Sequence, residues 1–338
     1  MDNDIKSVGI LYVAIGKYTI FLDKFYESCE KNLFPGVQKI YYVFTDAKRL
    51  VLSEEKENVI RLPIKNFDWP GNTLFRYHMF LNYWDFIKNH DFLLFLNANT
   101  EIVDKINIEE LFPFGNKKYV VAEHPYYYRE TNLFKLPYEK RIESNAYISD
   151  FNLSYKYVGG GFIGARPIDF KFISEKISSL IDEDLKNGIV AQWHDESHFN
   201  KFIKENELEV LYKSPQYFYP LEMDFNKNEN NDVRNEFSNN KKIIIIPKEM
   251  LGGHNYLRGE SRDDLFLVSL NDNLVKEVIT YIDKKNVKHR MKIFNDDIFD
   301  TQEFKMGRIV NRNEDEICVI WNNSGLKKYN RKGNNYYD

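Results

Sequence analysis

The N-terminal part of the chain alternates between apolar runs of strand length and a stretch with helical periodicity. Residues 8–13 (VGILYV) and 39–44 (KIYYVF) are the two apolar runs. The segment between them has an apolar residue at every fourth position: Phe21, Phe25, Cys29 and Leu33. This spacing places one apolar face on a helix. Strand, helix and strand in this order form a βαβ unit, so the pattern predicts an α/β fold with crossover helices.

The strongest single strand signal is the run FLLFL at residues 92–96. It follows a second stretch with helical periodicity at residues 72–87, and its continuous apolar character is typical of a central strand covered on both faces. Ligands of open α/β sheets bind beyond the carboxyl ends of such strands. Because this strand ends at Asn97, Ala98 and Asn99, we expect functional residues there.

The alternation continues to about residue 260 and then changes. Strands are predicted at 118–122 and 242–246, and helices at 169–185 and 194–202, while residues 155–164 are rich in glycine. Beyond residue 260, the pattern predicts a helix at 271–282, a strand at 317–321 and a loose polar tail at 327–338. We therefore predict one α/β domain over residues 1–262 and a small C-terminal appendage over residues 263–338.

Composition excludes several classes of protein. The 338 residues carry 47 Lys and Arg against 51 Asp and Glu, and a net charge of −4 argues against a nucleic-acid partner. Two cysteines exclude a disulfide scaffold and indicate a reducing compartment. No apolar run approaches membrane-spanning length, and Asp2 and Asp4 stand where a signal peptide would carry positive charge. We therefore expect a cytoplasmic protein. Aromatic residues make up 16% of the chain, which suits stacking on sugars, although an aromatic core explains the same number.

Three consecutive glycines, Gly159 to Gly161, interrupt an apolar stretch. The phosphate-loop template requires a following Lys and Ser or Thr, and the dinucleotide template requires spaced glycines, so neither fits. Glycine has no side chain, which lets a ligand approach the backbone closely. A plain turn is the alternative interpretation.

Residues 193–198 (WHDESH) bring together an indole, two imidazoles and two carboxylates. In a helix, His194 and His198 would share one face as in zinc sites, but the glutamate is not adjacent to the first histidine as that signature requires. Asp195 and Glu196 could instead supply a general base, a nucleophile or a stabiliser of positive charge. A helix start with solvated charges is the alternative.

Together these segments resemble glycosyltransferase family 6, which includes the histo-blood-group A and B transferases, the α1,3-galactosyltransferases and bacterial members. The matching segments occur in family order: VAIGKY (13–18), YYVFTD (41–46), WPGNTLFR (69–76), FLNAN (95–99), HP (124–125), YEKR (138–141), AYI (146–148), YVGGGFIG (157–164), WHDESHFNK (193–201), SPQYFYP (214–220), PK (247–248) and GGHNYLR (252–258). The most specific segment is WHDES.

The resemblance implies a GT-A fold over residues 1–262 and a retaining α1,3 transfer. The donor would be a UDP-sugar carrying N-acetylgalactosamine, with galactose as the alternative. The acceptor would be a glycan that contains galactose, commonly with an α1,2-linked fucose.

The resemblance also implies roles for single residues. Glu196 would be the catalytic carboxylate, and His124 and Trp193 would bind the acceptor. The donor would be bound by Ile15, Tyr18, Arg76, Asn97, Asn99, Gly159, Gly160, Asp195, Lys248 and Arg258.

Asn97 and Asn99 replace the metal-binding aspartates of the family, as in its bacterial members. Neutral amides hold a hard divalent cation poorly, because such cations prefer charged oxygen ligands. We therefore predict that the protein needs no metal cofactor, and that Arg76, Lys248 and Arg258 stabilise the leaving diphosphate.

Two other classes remain open, a non-catalytic carbohydrate-binding protein and a metal-dependent hydrolase built on His194 and His198. The resemblance does not extend to the appendage at 263–338. We predict that it docks outside the active site through an apolar helix face, and that it contacts a partner, the inner-membrane surface or a second copy of the chain.

Overall fold

The computed structural model describes residues 5–113, 115–148, 156–224, 231–251, 253–258, 275–294, 297–300, 305–321 and 325–337. The α-helices are α1 Leu22–Asn32, α2 Val51–Glu55, α3 Asp68–Leu74, α4 Arg76–Asn82, α5 Trp84–Ile87, α6 Ile108–Leu111, α7 Pro167–Lys186, α8 Asp195–Glu205, α9 Asn231–Phe237 and α10 Gly253–Arg258. Short 3₁₀ helices lie at Gly16–Phe21, Pro125–Tyr127, Leu133–Lys135, Glu207–Glu209, Pro215–Tyr217, Leu221–Asp224 and Lys248–Leu251.

The strands form three sheets. The N-terminal strands are β1 Ser7–Val13, β2 Gln38–Thr45, β3 Val59–Pro63, β4 Phe92–Leu96, β5 Thr100–Ile102, β6 Tyr119–Glu123, β7 Val158–Ala165, β8 Val210–Lys213, β9 Tyr219–Pro220 and β10 Ile243–Ile245. The C-terminal strands are β11 Glu277–Ile282, β12 Lys288–Phe294, β13 Asp297–Asp300, β14 Lys305–Arg312, β15 Glu316–Trp321, β16 Gly325–Lys332 and β17 Asn335–Tyr337.

The main sheet has the strand order β3-β2-β1-β4-β7-β6-β8. Strands β3, β2, β1 and β4 run parallel, whereas β7 is antiparallel to both β4 and β6. Apolar clusters cover both faces of this sheet, and every residue of β4 is buried, as expected for a central strand. The mixed sheet flanked by helices confirms the predicted α/β class and the GT-A-like fold.

The stretch at 72–87 forms three short helices where the periodicity predicts one. The backbone leaves the helical region at Phe75 (ψ 15°) and at Tyr83 (ψ 22°), so α3, α4 and α5 are separate. The apolar positions still face the core, with Leu74, Met79 and Ile87 buried. The periodicity therefore identifies the buried face correctly but not the breaks in the helix.

The C-terminal region is a closed sheet of the strands β11 to β17, which we call the C-terminal sheet. The helix predicted at 271–282 is wrong where the structure describes it, because residues 277–282 form β11. Ile279 and Tyr281 are buried while Val278, Thr280 and Ile282 are only partly buried, a period-two alternation in a segment rich in β-branched residues that favours a strand. The strand at 317–321 is confirmed within β15.

The prediction of a loose tail at 327–338 is also wrong, since residues 325–332 and 335–337 form β16 and β17. One buried aromatic residue in each strand, Tyr329 and Tyr336, carries the packing of this polar segment. The indole N–H of Trp321 donates to the Tyr329 hydroxyl at 2.8 Å. Within the described ranges, no helix is both long and apolar enough to cross a membrane.

Candidate active site

A cavity of about 330 Å³ lies beyond the carboxyl ends of β1 and β4. Its walls include most of the predicted site residues: Ile15, Tyr18, Arg76, Asn97, Asn99, His124, Gly160, Trp193, Asp195, Glu196, Lys248 and Arg258. The structure therefore brings together residues that are separated by up to 243 positions in sequence. Gly159 lies behind the cavity, under the ring of Phe218, which itself lines the cavity.

Glu196 is fixed from two directions at one side of the cavity. The Tyr157 hydroxyl donates to Oε1 and the Gly160 backbone N–H donates to Oε2, both at 2.7 Å. Asn200, one turn further along α8, joins that helix to β7, because its side-chain amide donates to the Val158 carbonyl at 3.0 Å and its Oδ1 accepts from the Val158 N–H at 2.9 Å. The carboxylate thus stands in a preformed position on the main sheet.

Asp195 precedes Glu196 at the start of α8 and is only 3% exposed. Burial raises the pKa of Asp195 to about 6, although the Arg76 guanidinium opposes that shift. Arg76 Nη1 lies 3.2 Å from Asp195 Oδ2 and 2.5 Å from the Gly160 carbonyl oxygen, to which it donates. We call Arg76, Tyr157, Asp195 and Glu196 the acidic wall. The acidic pair begins a helix, as the alternative interpretation states, but Asp195 is not a solvated charge.

Each of the three glycines allows a different close contact within β7. A Cβ atom at Gly159 would lie 2.5 Å from the Phe218 ring, and one at Gly160 would lie 3.0 Å from Glu196 Oε2. A Cβ atom at Gly161 would lie 2.9 Å from Asn97 Cγ. The alternative of a plain turn is wrong, since these residues are inside a strand. The groups that approach the backbone here are side chains of the protein itself.

The two asparagines after β4 have different surroundings. Asn99 is 3% exposed, and its Nδ2 donates to the Ile246 carbonyl at 2.7 Å, which ties β4 to the segment that leads into Lys248. Asn97 packs against Gly161 and lines the cavity. In the described ranges, no group of three or more His, Cys, Asp or Glu side chains is arranged to hold a metal ion.

Basic side chains from residues 248–258 line another part of the cavity. We call Lys248, His254 and Arg258 the cationic side. Burial, with the neighbouring Arg258 guanidinium, lowers the pKa of Lys248 to about 8. A buried cation with this environment gains stabilisation when an anion binds beside it.

Trp69 was not predicted as a site residue, and it contacts both Arg258 and His194. The Arg258 guanidinium lies 3.7 Å from the centre of the Trp69 ring, and the His194 ring meets the same indole edge-on at 4.6 Å. Trp69, Asn72, Thr73, His194 and His254 all line the cavity. The matched motifs that contain or adjoin these five residues indicate that they lie near the site. Neither the aromatic content of the chain nor helical spacing distinguishes them from residues of the core.

His198 has a structural role, which argues against the zinc-site interpretation. Its two ring nitrogens lie 3.1 Å from the His194 carbonyl oxygen and 3.0 Å from Asp184 Oδ2. Asp184 also accepts hydrogen bonds from Ser144 and Asn145. Both nitrogens of His198 are therefore engaged inside the protein, and this network fixes the start of α8.

His124 and Trp193 lie at an aromatic part of the cavity. The His124 ring is within 5.7 Å of the Tyr126, Tyr127 and Tyr157 rings, centre to centre. Burial lowers the pKa of His124, so the neutral imidazole is favoured. Trp193 remains 45% exposed, which leaves an indole face open to a ligand.

The cavity at the carboxyl edge of the main sheet thus holds a fixed carboxylate pair together with the basic side chains of Arg76, Lys248 and Arg258, an arrangement that suits an anionic ligand. Residues 2–242 match the family model of glycosyltransferase family 6. The chain belongs to this family.

Several curated proteins are similar to the chain. The O-antigen biosynthesis glycosyltransferase WbnI of Escherichia coli is 32% identical over 214 residues, which cover 62% of this chain and 89% of that protein. The histo-blood group ABO system transferase 1 of Rattus norvegicus is 31% identical over 63% of this chain and 61% of its own length. The globoside alpha-1,3-N-acetylgalactosaminyltransferase 1 of Gallus gallus is 29% identical over 63% of this chain and 62% of its own length. The chain therefore spans about three fifths of these two animal proteins.

Proposed function

We propose that the protein is a retaining α1,3-glycosyltransferase that uses a UDP-sugar without a metal cofactor. N-acetylgalactosamine is the proposed sugar, galactose is the alternative, and the proposed acceptor is a galactose-containing glycan, commonly one with an α1,2-linked fucose. The observation that carries the proposal is the placement of Glu196 and Lys248 in one cavity.

Binding of the diphosphate is assigned to basic side chains alone. Lys248, Arg258 and Arg76 line the cavity, and the described residues offer no carboxylate cluster for a cation. A departing diphosphate carries away the electron pair of the broken bond between the anomeric carbon and oxygen, so positive groups beside it lower the barrier. Ile15 and Tyr18 would hold the uridine, since they follow β1 at the mouth of the cavity.

Retention requires a group on the face of the sugar opposite the diphosphate, or attack from the same face as the departure. Glu196, held by two hydrogen bonds, suits either role: nucleophile in a double displacement or stabiliser of an oxocarbenium-like transition state. In the double displacement, a Glu196 carboxylate oxygen bonds to the anomeric carbon as UDP leaves, and the acceptor hydroxyl oxygen then displaces that carboxylate. In the same-face route, the acceptor oxygen bonds to the anomeric carbon as the bond to the diphosphate breaks. In both routes the hydroxyl proton passes to an oxygen of the departed diphosphate. Asp195 and Arg76 would bind the donor sugar beside this carboxylate.

The choice of donor sugar is supported by the similarity to globoside alpha-1,3-N-acetylgalactosaminyltransferases. Gly160 alone does not decide between the two sugars, because Glu196 already requires a glycine at this position. The acceptor would lie against His124 and Trp193, whose aromatic surroundings suit the apolar face of a galactose ring.

The test is a donor and acceptor screen with a stereochemical readout. Purified protein in excess EDTA is given UDP-N-acetylgalactosamine or UDP-galactose with fucosylated and non-fucosylated galactosides, and the product linkage is read by NMR. We expect an α1,3 product, formed faster from the acetamido donor. A β-linked product would contradict retention, and faster transfer from UDP-galactose would reverse the donor assignment.

A matched control separates transfer from binding. Glu196→Gln keeps the shape of the side chain and should bind UDP while forming almost no product. Should the wild-type protein bind glycans but release no UDP with any donor, the alternative of a carbohydrate-binding protein would replace this proposal.

A further inference from the structure

The C-terminal sheet packs against the parts of the chain that carry the cationic side. Apolar residues from three regions share one buried cluster, which we call the docking seam: Phe21, Val51, Tyr256, Leu257, Phe294 and Phe299. Phe294 and Phe299 belong to the C-terminal sheet, and Tyr256 and Leu257 belong to α10. The family profile ends at residue 242, so α10 and the C-terminal sheet both lie beyond it.

A charge cluster at the same place joins the C-terminal sheet to the first turn of α1. The Asp23 carboxylate is fully buried, and its oxygens lie 2.8 Å from Arg290 Nη1 and 2.6 Å from Lys292 Nζ. Arg290 Nη2 lies 2.6 Å from Glu55 at the end of α2. Two carboxylates, on α1 and α2, thus face two cations of the C-terminal sheet, and the four charges sum to zero.

This cluster adjoins a segment that lines the cavity. Asp23 is the second residue of α1, which follows directly on the 3₁₀ helix Gly16–Phe21 that carries Tyr18. Gly16 has a φ of +64°, and a Cβ atom there would lie 3.1 Å from the Leu257 carbonyl oxygen. The Lys17 ammonium group lies 3.6 Å from the centre of the Tyr256 ring. The 3₁₀ helix and α10 are therefore in direct contact, and both rest on the docking seam.

We infer that the C-terminal sheet positions the donor-binding segments, and that Asp23, Arg290 and Lys292 are positioning residues for nucleotide binding. Helix α10 has only six residues, too few to hold a fixed place by itself. The docking seam supplies the missing support and sets where Arg258 and Tyr18 stand. This inference rests on the proposed function for the identity of the ligand, a nucleoside diphosphate.

The inference differs from the role predicted for the appendage from sequence, which was contact with a partner, the inner-membrane surface or a second copy. In the described part of the C-terminal sheet, no residue lines the cavity, so its effect on the site is indirect. The apolar contact forms through Phe294 of β12 and Phe299 of β13 together with Val275, and not through the helix predicted at 271–282.

The experiment uses the full chain and the neutrality of the charge cluster. Asp23→Asn leaves the cluster with one excess positive charge and Lys292→Met leaves it with one excess negative charge, whereas the double variant is neutral and keeps Arg290 paired with Glu55. We expect each single variant to raise the Kd for UDP about tenfold and the double variant to return to within about threefold of the wild type. The turnover number at saturating donor should fall by a smaller factor than the affinity, because the acidic wall is untouched and only the cationic side, which also stabilises the leaving diphosphate, is displaced.

Glu277→Gln is the matched control. It removes an exposed carboxylate that pairs with Arg312 at 2.6 Å within the C-terminal sheet and takes no part in the charge cluster, so the Kd for UDP should be unchanged. Hydrogen exchange at the amides of residues 254–258, measured without nucleotide, should be faster in the single variants and restored in the double variant.

The two readouts separate this inference from the proposed function. Folded single variants with wild-type UDP affinity and wild-type exchange in α10 would overturn the inference. If the wild-type protein bound no UDP, the proposed function would fail and the exchange measurement alone would decide the positioning role. If Asp23→Asn does not fold, Lys292→Met and the double variant give the same comparison from the other side of the cluster.

Discussion

The acidic wall and the cationic side face the same cavity but are built differently. Glu196 and Asp195 stand on an 11-residue helix joined to a strand of the main sheet, and Glu196 has a donor at each carboxylate oxygen. The cationic side stands on a 3₁₀ helix of 4 residues and an α-helix of 6. The groups assigned to bond breaking are therefore fixed by the core of the main sheet. The groups assigned to the diphosphate lie on short helices, which depend on contacts with the C-terminal sheet for their position.

The largest effect is expected at the centre of the acidic wall. Glu196→Gln keeps the shape of the side chain but removes its negative charge. We expect kcat to fall by a factor of about 10³ or more. The Kd for UDP should change little, because nucleotide contacts lie elsewhere. Single-turnover kinetics together with calorimetry would check this separation. A variant with nearly full kcat would transfer the catalytic role to Asp195.

Lys248→Met tests the cationic side. Loss of this buried charge should reduce turnover by about 10²–10³ and weaken UDP binding as well, unlike the change at Glu196. Since burial lowers the pKa of Lys248 to about 8, a rise in pH through that value deprotonates the free enzyme and should weaken UDP binding in the wild type. Calorimetry from pH 6.5 to 9.5 would show this slope, and the Met variant should lack it.

Gly160→Ala tests how tightly the acidic wall is packed. A Cβ atom would lie 3.0 Å from Glu196 Oε2 and 3.1 Å from its Cβ, so the carboxylate must move. We expect kcat to fall by about 10-fold or more with both donor sugars, since a small misplacement of a catalytic group is costly. Initial rates with each donor would show the loss. A decrease confined to UDP-N-acetylgalactosamine would instead make this position a specificity determinant.

The remaining prediction concerns the stability of the fold and not its activity. The pKa of Asp195 is raised to about 6 in the folded protein, so the folded state binds a proton more tightly than the unfolded chain. Between about pH 4 and pH 6 the free energy of unfolding should therefore decrease as pH rises, by up to about 3 kcal/mol from this group. Urea unfolding of the wild type and of Asp195→Asn would check this, because the variant should lack this part of the slope. Equal pH slopes would contradict it.

Sequence patterns predicted the parts of the fold in which one local signal dominates. The continuous run at 92–96 gave a buried central strand, and the segment at 193–201 located the acidic pair at the start of a helix. The breaks in the helix at Phe75 and Tyr83 were not predicted, because the helical spacing of apolar residues continues across both positions. In the C-terminal sheet, β11 has a period-two alternation, but the apolar positions Val275, Ile279 and Ile282 also match helical spacing, and this spacing led to the wrong prediction.

The site depended on different information. The resemblance names five of the seven residues of the acidic wall and the cationic side, since these belong to distinctive motifs, but it gives no role to Tyr157 or His254. Trp69 and Tyr157 lie within matched segments, yet their contacts with Arg258 and Glu196 depend on long-range packing. The pairing of Asp23 with Arg290 and Lys292 joins positions more than 250 residues apart, and no local pattern contains it.

The central claim is that basic side chains, and not a divalent cation, hold the diphosphate. The most direct measurement is calorimetric titration of UDP into chelator-treated protein, repeated with added Mn²⁺. We predict the same Kd, within about twofold, in both conditions, and a much weaker Kd for Lys248→Met in both. Binding of UDP only after Mn²⁺ is added would contradict the claim.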